Sequence, residues 1–234
     1  GFILHQKKLR WLKKFVFYRY YLPLFRLVDC VQAVSQQDLE LIENSLPPEQ
    51  LALIPGGVDA ETFAISERKP VAGRLLYFGR IDQHKGLDLL FEALAQVTTP
   101  YHLNLVFGSS RQDCLDELLV RAKRNGIEPH VSWLGKRDLT SLKNELSQSQ
   151  LVIFPSRYEG FGLTVLEAMA AGKPVLTSTA GAIPHIVSDP ANGIVLQQVT
   201  SDTVEAALRK LLSSQAYCQE VGQHNAAYEI GRAS

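Results

Sequence analysis

The sequence predicts an α/β fold in which a parallel sheet is covered by helices on both faces, and two observations carry that expectation. From about residue 74 onward, short β-branched or apolar runs alternate with longer amphipathic segments, the pattern left by βαβ crossovers. The 234 residues are 46% hydrophobic and 21% charged, which suits a chain with a sizeable core and excludes fibrous and disordered classes. Length alone allows one large or two modest domains.

The first 26 residues hold seven basic side chains (Lys7, Lys8, Arg10, Lys13, Lys14, Arg19 and Arg26) and no acidic one, although the whole chain balances 24 against 24. Phe2, Trp11, Phe15, Phe17, Tyr18, Tyr20, Tyr21 and Phe25 share this stretch, so a basic aromatic helix is expected. Two readings stay open for it: an aromatic face packed on protein with solvated lysines, or a helix lying on anionic lipid. Its apolar runs are too short and too broken by charge to span a bilayer or to act as a signal peptide.

A strand at 31–34, a helix opened by Ser35 and a second strand at 51–54 come next. Pro47 and Pro48 separate that helix from the second strand, and Gly56-Gly57 turns the chain. Residues 64–73, with Ser66, Pro70 and three charges, read as a linker. The array then offers strands at 75–78, 103–107, 131–134, 151–154, 174–178 and 193–196. Helices are expected near 87–96, 113–125, 138–147, 164–171 and 202–213, with a short segment at 183–187. Cys30, Cys114 and Cys218, odd in number and widely spaced, form neither a disulfide framework nor a metal motif, and point to a reduced, intracellular chain.

Open α/β sheets bind ligands at the carboxyl ends of their strands, and two loops at such ends carry chemistry. After the first strand of the array the chain reads Phe78-Gly79-Arg80-Ile81-Asp82-Gln83-His84-Lys85-Gly86. Arg80 offers a planar fork and Lys85 a mobile point charge, so the two can converge on one anion, unless both are merely solvated surface. His84 reads as an ordinary loop histidine.

The second loop, from Phe154 to Gly172, is denser. Pro155 ends its strand, Gly160 and Gly162 let backbone approach a ligand, and a helix expected from Thr164 stops before Gly172. The amino terminus of that helix would form an anion site. Glu159 and Glu167 border it with seven residues between them, a placement suited to sugar hydroxyls, which donate to ionised carboxylates. Alternatives stay open here too. Thr164-Val165-Leu166-Glu167 also fits a capping box, and Glu159 could be a solvated loop acid. The chain has no G-x-G-x-x-G, no P-loop and no D-x-D pair, so a bound diphosphate would be neutralised by protein cations and the helix dipole.

These residues resemble the retaining glycosyltransferases of family 4, the "group 1" family with the GT-B fold. Glu159 through Val175 resembles the family's E-x7-E signature in its E-G-F-G-L-T-x-x-E-A-M-A-x-G-x-P-V setting. Gly79-Arg80 with Lys85-Gly86 is similar to the G-R-x-x-x-x-K-G loop. Ile54 to Asp59 with Phe63 resembles the N-G-V-D-x-x-x-F segment, with Gly56 where Asn is frequent.

The resemblance implies a Rossmann-like, doubly wound parallel sheet, the GT-B C-terminal domain, preceded by a strand-helix-strand remnant of the N-terminal domain. It assigns residues 1–63 to the end of an acceptor domain, 64–73 to a linker and 74–234 to a nucleotide-sugar donor domain. On that expectation most of the acceptor domain is missing from this sequence, and the closing helix that usually follows a position such as Tyr228 is cut short. Arg80 and Lys85 would hold the donor diphosphate, Glu159 would contact the transferred sugar and Glu167 the ribose hydroxyls. Gly160, Phe161, Gly162, Leu163 and Thr164 would touch sugar and phosphate, and Gly135 and Lys136 would lie beside the base.

The implied activity is metal-independent, retaining transfer of a hexosyl group to an acceptor hydroxyl in polysaccharide or glycolipid synthesis. No cofactor is expected; the UDP-, GDP- or ADP-sugar is a co-substrate. Expected partners are an acceptor glycan or lipid-linked sugar and the inner face of a membrane, touched peripherally from the cytoplasm, and no nucleic acid. Where the family often has G-G-x-P-E, this chain has Gly181-Ala182-Ile183-Pro184-His185, and no role is carried over there. A nucleotide-sugar-binding module without turnover is the main rival. A GT-B epimerase or phosphorylase and an unliganded scaffold are further ones.

Overall fold

The computed structural model describes residues 10–108 and 110–232, so the expectations placed on Phe2, Lys7 and Lys8 lie outside the described residues. The chain divides into two compact units, 1–57 and 58–234.

In the smaller unit, α1 (Arg10–Val16) runs into a π-helical turn, Phe17–Tyr21, and then α2 (Leu22–Phe25). Phe17 and Phe25 pack with the buried Leu22, Ile42 and Leu46, so part of the aromatic face does cover protein. Trp11, Phe15 and Tyr20 stay exposed. Strand β1 (Val31–Ala33) leads to α3 (Gln36–Ile42), which opens as expected because the Ser35 hydroxyl accepts the Asp38 N–H at 3.1 Å. Strand β2 (Leu51–Leu53) then pairs with β1 in parallel, Val31 opposite Leu51.

The larger unit begins with α4 (Ala60–Phe63), capped by the Asp59 carboxylate. The stretch 64–73 is laid along this unit, where Lys69 and Val71 donate backbone N–H groups to the Ser147 and Gln148 carbonyls. The alternating array then follows: β3 (Arg74–Phe78), α5 (Leu87–Leu94), β4 (His102–Val106), α6 (Gln112–Arg124), β5 (Val131–Gly135), α7 (Leu139–Gln148), β6 (Leu151–Ile153), α8 (Leu163–Ala170), β7 (Val175–Ser178), α9 (Ile183–Ile186), β8 (Gly193–Leu196), α10 (Ser201–Leu212) and α11 (Gln215–Arg232).

All six strands from β3 to β8 are parallel, in the order β5-β4-β3-β6-β7-β8. Leu75 to Phe78 and Leu151 to Ile153 are buried without alternation, as strands covered on both faces must be. Right-handed crossovers place α5 and α6 on one face while the sheet grows from β3 toward β5. The jump from β5 back to β6 reverses the direction of growth and carries α7, α8 and α9 to the other face. Consistent with this, α10 returns to pack on α5, and α11 packs on α8. Between β3 and β6 lies the topological switch point, where the loops leaving the two strands part and open a crevice.

Candidate functional site

The loop after β3 and the loop after β6 both rise at this switch point, which is why residues 74 positions apart meet. Lys85 Nζ donates to Glu159 Oε2 at 2.6 Å, and the two side chains are only 14% and 15% exposed. Ser156 Oγ donates to the same carboxylate oxygen at 3.4 Å. Local backbone rules fix the first loop. Asp82 accepts the His84 N–H at 2.7 Å, and Gly86 then turns with φ +68°, so close beneath the second loop that a Cβ would lie 2.0 Å from the Pro155 carbonyl. The buried Tyr77 hydroxyl donates to the Arg80 carbonyl at 2.5 Å and ties that turn to the sheet.

Arg80 differs from Lys85. Its side chain is 72% exposed and pairs loosely with Asp82 at 3.9 Å, so the two cations expected to converge differ in setting: one is buried on Glu159, one reaches into solvent.

Helix α8 begins at Leu163, one residue ahead of expectation, because Gly162 takes φ +98° and serves as its amino-terminal cap. Gly162 is packed tightly, with Ile183 3.2 Å from where its Cβ would stand. The first intrahelical bond is donated by Val165, which leaves the N–H groups of Leu163 and Thr164 at the open end. A capping box at Thr164 therefore does not form: no side chain caps the helix. The Glu167 carboxyl has no hydrogen bond within the described residues, and burial raises its pKa.

A third loop, after β7, supports the second from behind. Ala182 N–H donates to the Gly160 carbonyl at 3.3 Å, and Ser178 Oγ donates to the Ser156 carbonyl at 2.6 Å. Gly160 is exposed and Phe161 is packed against the core. Gly135 and Lys136 stand at the end of β5, two strands away from β3, where Phe107 N–H binds the Gly135 carbonyl. At the usual strand spacing that puts them about 10 Å along the sheet from the end of β3. Among the described residues there is no cluster of three or more His, Cys, Asp or Glu side chains able to hold a metal.

The "Glycosyl transferases group 1" family matches residues 59–228, well over half the chain. The chain belongs to that family. A glycogen synthase of Mycobacterium tuberculosis is 29% identical over 197 residues, covering 82% of this chain and 47% of its own length. An MMP alpha-(1->4)-mannosyltransferase of Mycolicibacterium hassiacum is 30% identical over 198 residues, covering 83% and 47%. The solved structure of Anabaena Alr3699/HepE in complex with UDP superposes with a TM-score of 0.83 at 23% identity, over 98% of this chain and 66% of that one, and shares its fold. The chain thus spans about half the length of the curated relatives it matches.

Three residues of this group 1 domain escaped the sequence reading. Arg157 grips Asp88, the second residue of α5, with both guanidinium prongs at 2.6 Å. A basic residue two before Glu159 and an acid in a helix's first turn were the available signals. Lys173 is 2% exposed, and its ammonium donates to the Ser147 and Ser149 carbonyls at 2.9 and 3.0 Å, which terminates α7. Burial, with Arg68 nearby, lowers its pKa to about 7.

Proposed function

We propose that the protein transfers a hexosyl group from a nucleoside diphosphate sugar to an acceptor hydroxyl, with retention and without a metal. The carrying observation is the Lys85–Glu159 pair at the switch point beside the open end of α8, a cation, a carboxylate and free N–H groups set together at one crevice. Glycogen synthase and mannosyltransferase relatives support the reaction class. The HepE neighbour, solved also in complex with UDP-glucose, supports the donor class. In this proposal the acceptor is a glycan or lipid-linked sugar met at a membrane's inner face, the kind of acceptor the family resemblance implies.

In this reading the diphosphate takes Lys85 from Glu159 on binding. Arg80 swings from solvent onto the same phosphates, whose oxygens also receive the N–H groups of Leu163 and Thr164. The slow event is cleavage of the bond between the anomeric carbon and the phosphate oxygen. Positive charge builds on the sugar and negative charge on the leaving diphosphate, which these fixed donors stabilise. Glu159, released from Lys85, accepts hydrogen bonds from the sugar and orients it. Glu167, lacking any hydrogen bond within the described residues, accepts from the ribose hydroxyls, and Gly135 and Lys136 flank the base. The acceptor oxygen attacks the face the diphosphate leaves, and its proton passes to the departing phosphate.

Arg80→Ala tests the leaving-group role, in the protein as its gene encodes it. Transfer should fall about a hundredfold, the scale seen when one fixed donor to a developing anion is removed. Unimpaired transfer would sink the assignment. Nucleotide binding in wild type with no transfer to any acceptor would favour the binding module instead.

A further inference from the structure

The Lys85–Glu159 pair depends on two loops that no strand hydrogen bond joins, and beside that pair itself the Arg157 guanidinium makes the ionic bridge between them. Arg157 lies two residues before Glu159, and its guanidinium meets the Asp88 carboxylate in a parallel, two-pronged geometry, both contacts at 2.6 Å. One of its nitrogens also donates to the Gln83 carbonyl at 3.1 Å, and its backbone N–H donates to the His84 carbonyl at 2.7 Å. Arg157 therefore holds the first loop on both sides of Lys85, at residues 83 and 84 before it and 88 after it. Asp88 is itself anchored in the first turn of α5, where the helix dipole favours a carboxylate.

We propose that Arg157 and Asp88 are a positioning pair that sets the separation of Lys85 and Glu159, and through them the register of diphosphate against transferred sugar. The inference rests on the donor-site reading given above. Neither residue touches the reacting atoms. Their work is geometric, and a lysine at 157 could keep the charge but not the two prongs or the simultaneous contact with Gln83. Misplacement of bound groups by about 1 Å is enough to lower turnover by about a hundredfold. Diphosphate affinity, which needs Lys85 and Arg80 but not their register with Glu159, should respond far less.

The experiment compares wild type with Arg157→Lys, Arg157→Gln, Asp88→Asn and the double variant Arg157→Gln/Asp88→Asn, in the protein as its gene encodes it. Each single variant should lose about 10- to 100-fold in kcat. KM for the nucleotide sugar and Kd for UDP, GDP or ADP should stay within about threefold, because the diphosphate contacts are untouched. The double variant should lose no more than the worse single one, since both residues act as one unit. Single variants with wild-type kcat, or losses that multiply in the double variant, would overturn the proposal. If wild type itself transfers no sugar, the donor-site reading fails separately, and the crystal structure of Arg157→Gln then decides: a Lys85–Glu159 contact unchanged from 2.6 Å overturns the positioning role, and a lengthened one upholds it.

Discussion

Replacing Glu159 by Gln should tighten the grip on nucleotide while it slows transfer, two effects of opposite sign from one substitution. Lys85 and Glu159 stand 2.6 Å apart and are both mostly buried. At an effective dielectric near 20 their direct attraction is about 6 kcal/mol. Desolvation of both ions offsets most of it, which leaves a net of about 1 kcal/mol for a pair of this kind. In the proposed reading an incoming diphosphate takes the ammonium from that contact. With Gln at 159 the charge competition is gone, so the nucleotide should bind about fivefold tighter, the equivalent of that 1 kcal/mol. Transfer should drop by about a hundredfold, because in the proposed reading the sugar loses an ionised acceptor that orients it. Calorimetry with UDP, GDP and ADP reads the first effect and a sugar-transfer assay reads the second. Weaker nucleotide binding in Glu159→Gln would refute the competition, and undiminished transfer would remove Glu159 from the sugar site.

Two further outcomes follow from buried geometry. Lys173 titrates near 7 in the folded chain but near 10.4 when unfolded. The unfolded chain therefore binds more protons between those values, and stability rises with pH above 7 while the penalty is constant below it. From pH 6 to 8.5 the gain is about 2 kcal/mol, and urea unfolding should show that slope in wild type and not in Lys173→Met. Equal slopes would sink the assignment. Gly181, at φ +61°, would place a Cβ 1.9 Å from the Glu159 carbonyl, whereas Gly126, at φ +70°, has open space around it. Gly181→Ala should lower Tm by at least about 5 °C, and Gly126→Ala by no more than about 4 °C, the left-handed backbone term alone. Equal losses would show that the close approach to Glu159 carries no weight.

The strands and most helix ends were legible because their causes are local. Runs such as Leu75 to Phe78 declare a doubly buried strand, and Ser35 and Asp138 cap the helices they precede. The start of α8 lies one residue ahead of the one the spacing predicts, because Gly162 takes φ +98° and caps the helix, a backbone choice that residue order alone does not announce. Two loops and both glutamates could be named from spacing. That Lys85 rests on Glu159 while Arg80 points to solvent could not, since only the β3–β6 adjacency brings residues 74 apart together. Nothing in the sequence marks Lys173 as buried. Its burial depends on the carbonyls at the end of α7, which no nearby residue announces.

The strand order also bears on how the molecule comes to be. β3 finds β4 after one short crossover, but its other neighbour, β6, is Leu151–Ile153 and leaves the ribosome some seventy residues later. Pairing over such a separation is slow, and until it happens the half-sheet β5-β4-β3 keeps an open apolar edge. The crevice does not exist before that closure. A nucleotide that binds there can stabilise only chains whose sheet is whole. During synthesis such a ligand would act after assembly as a lock, holding the two halves together once β6 has been inserted, and it could not guide their meeting.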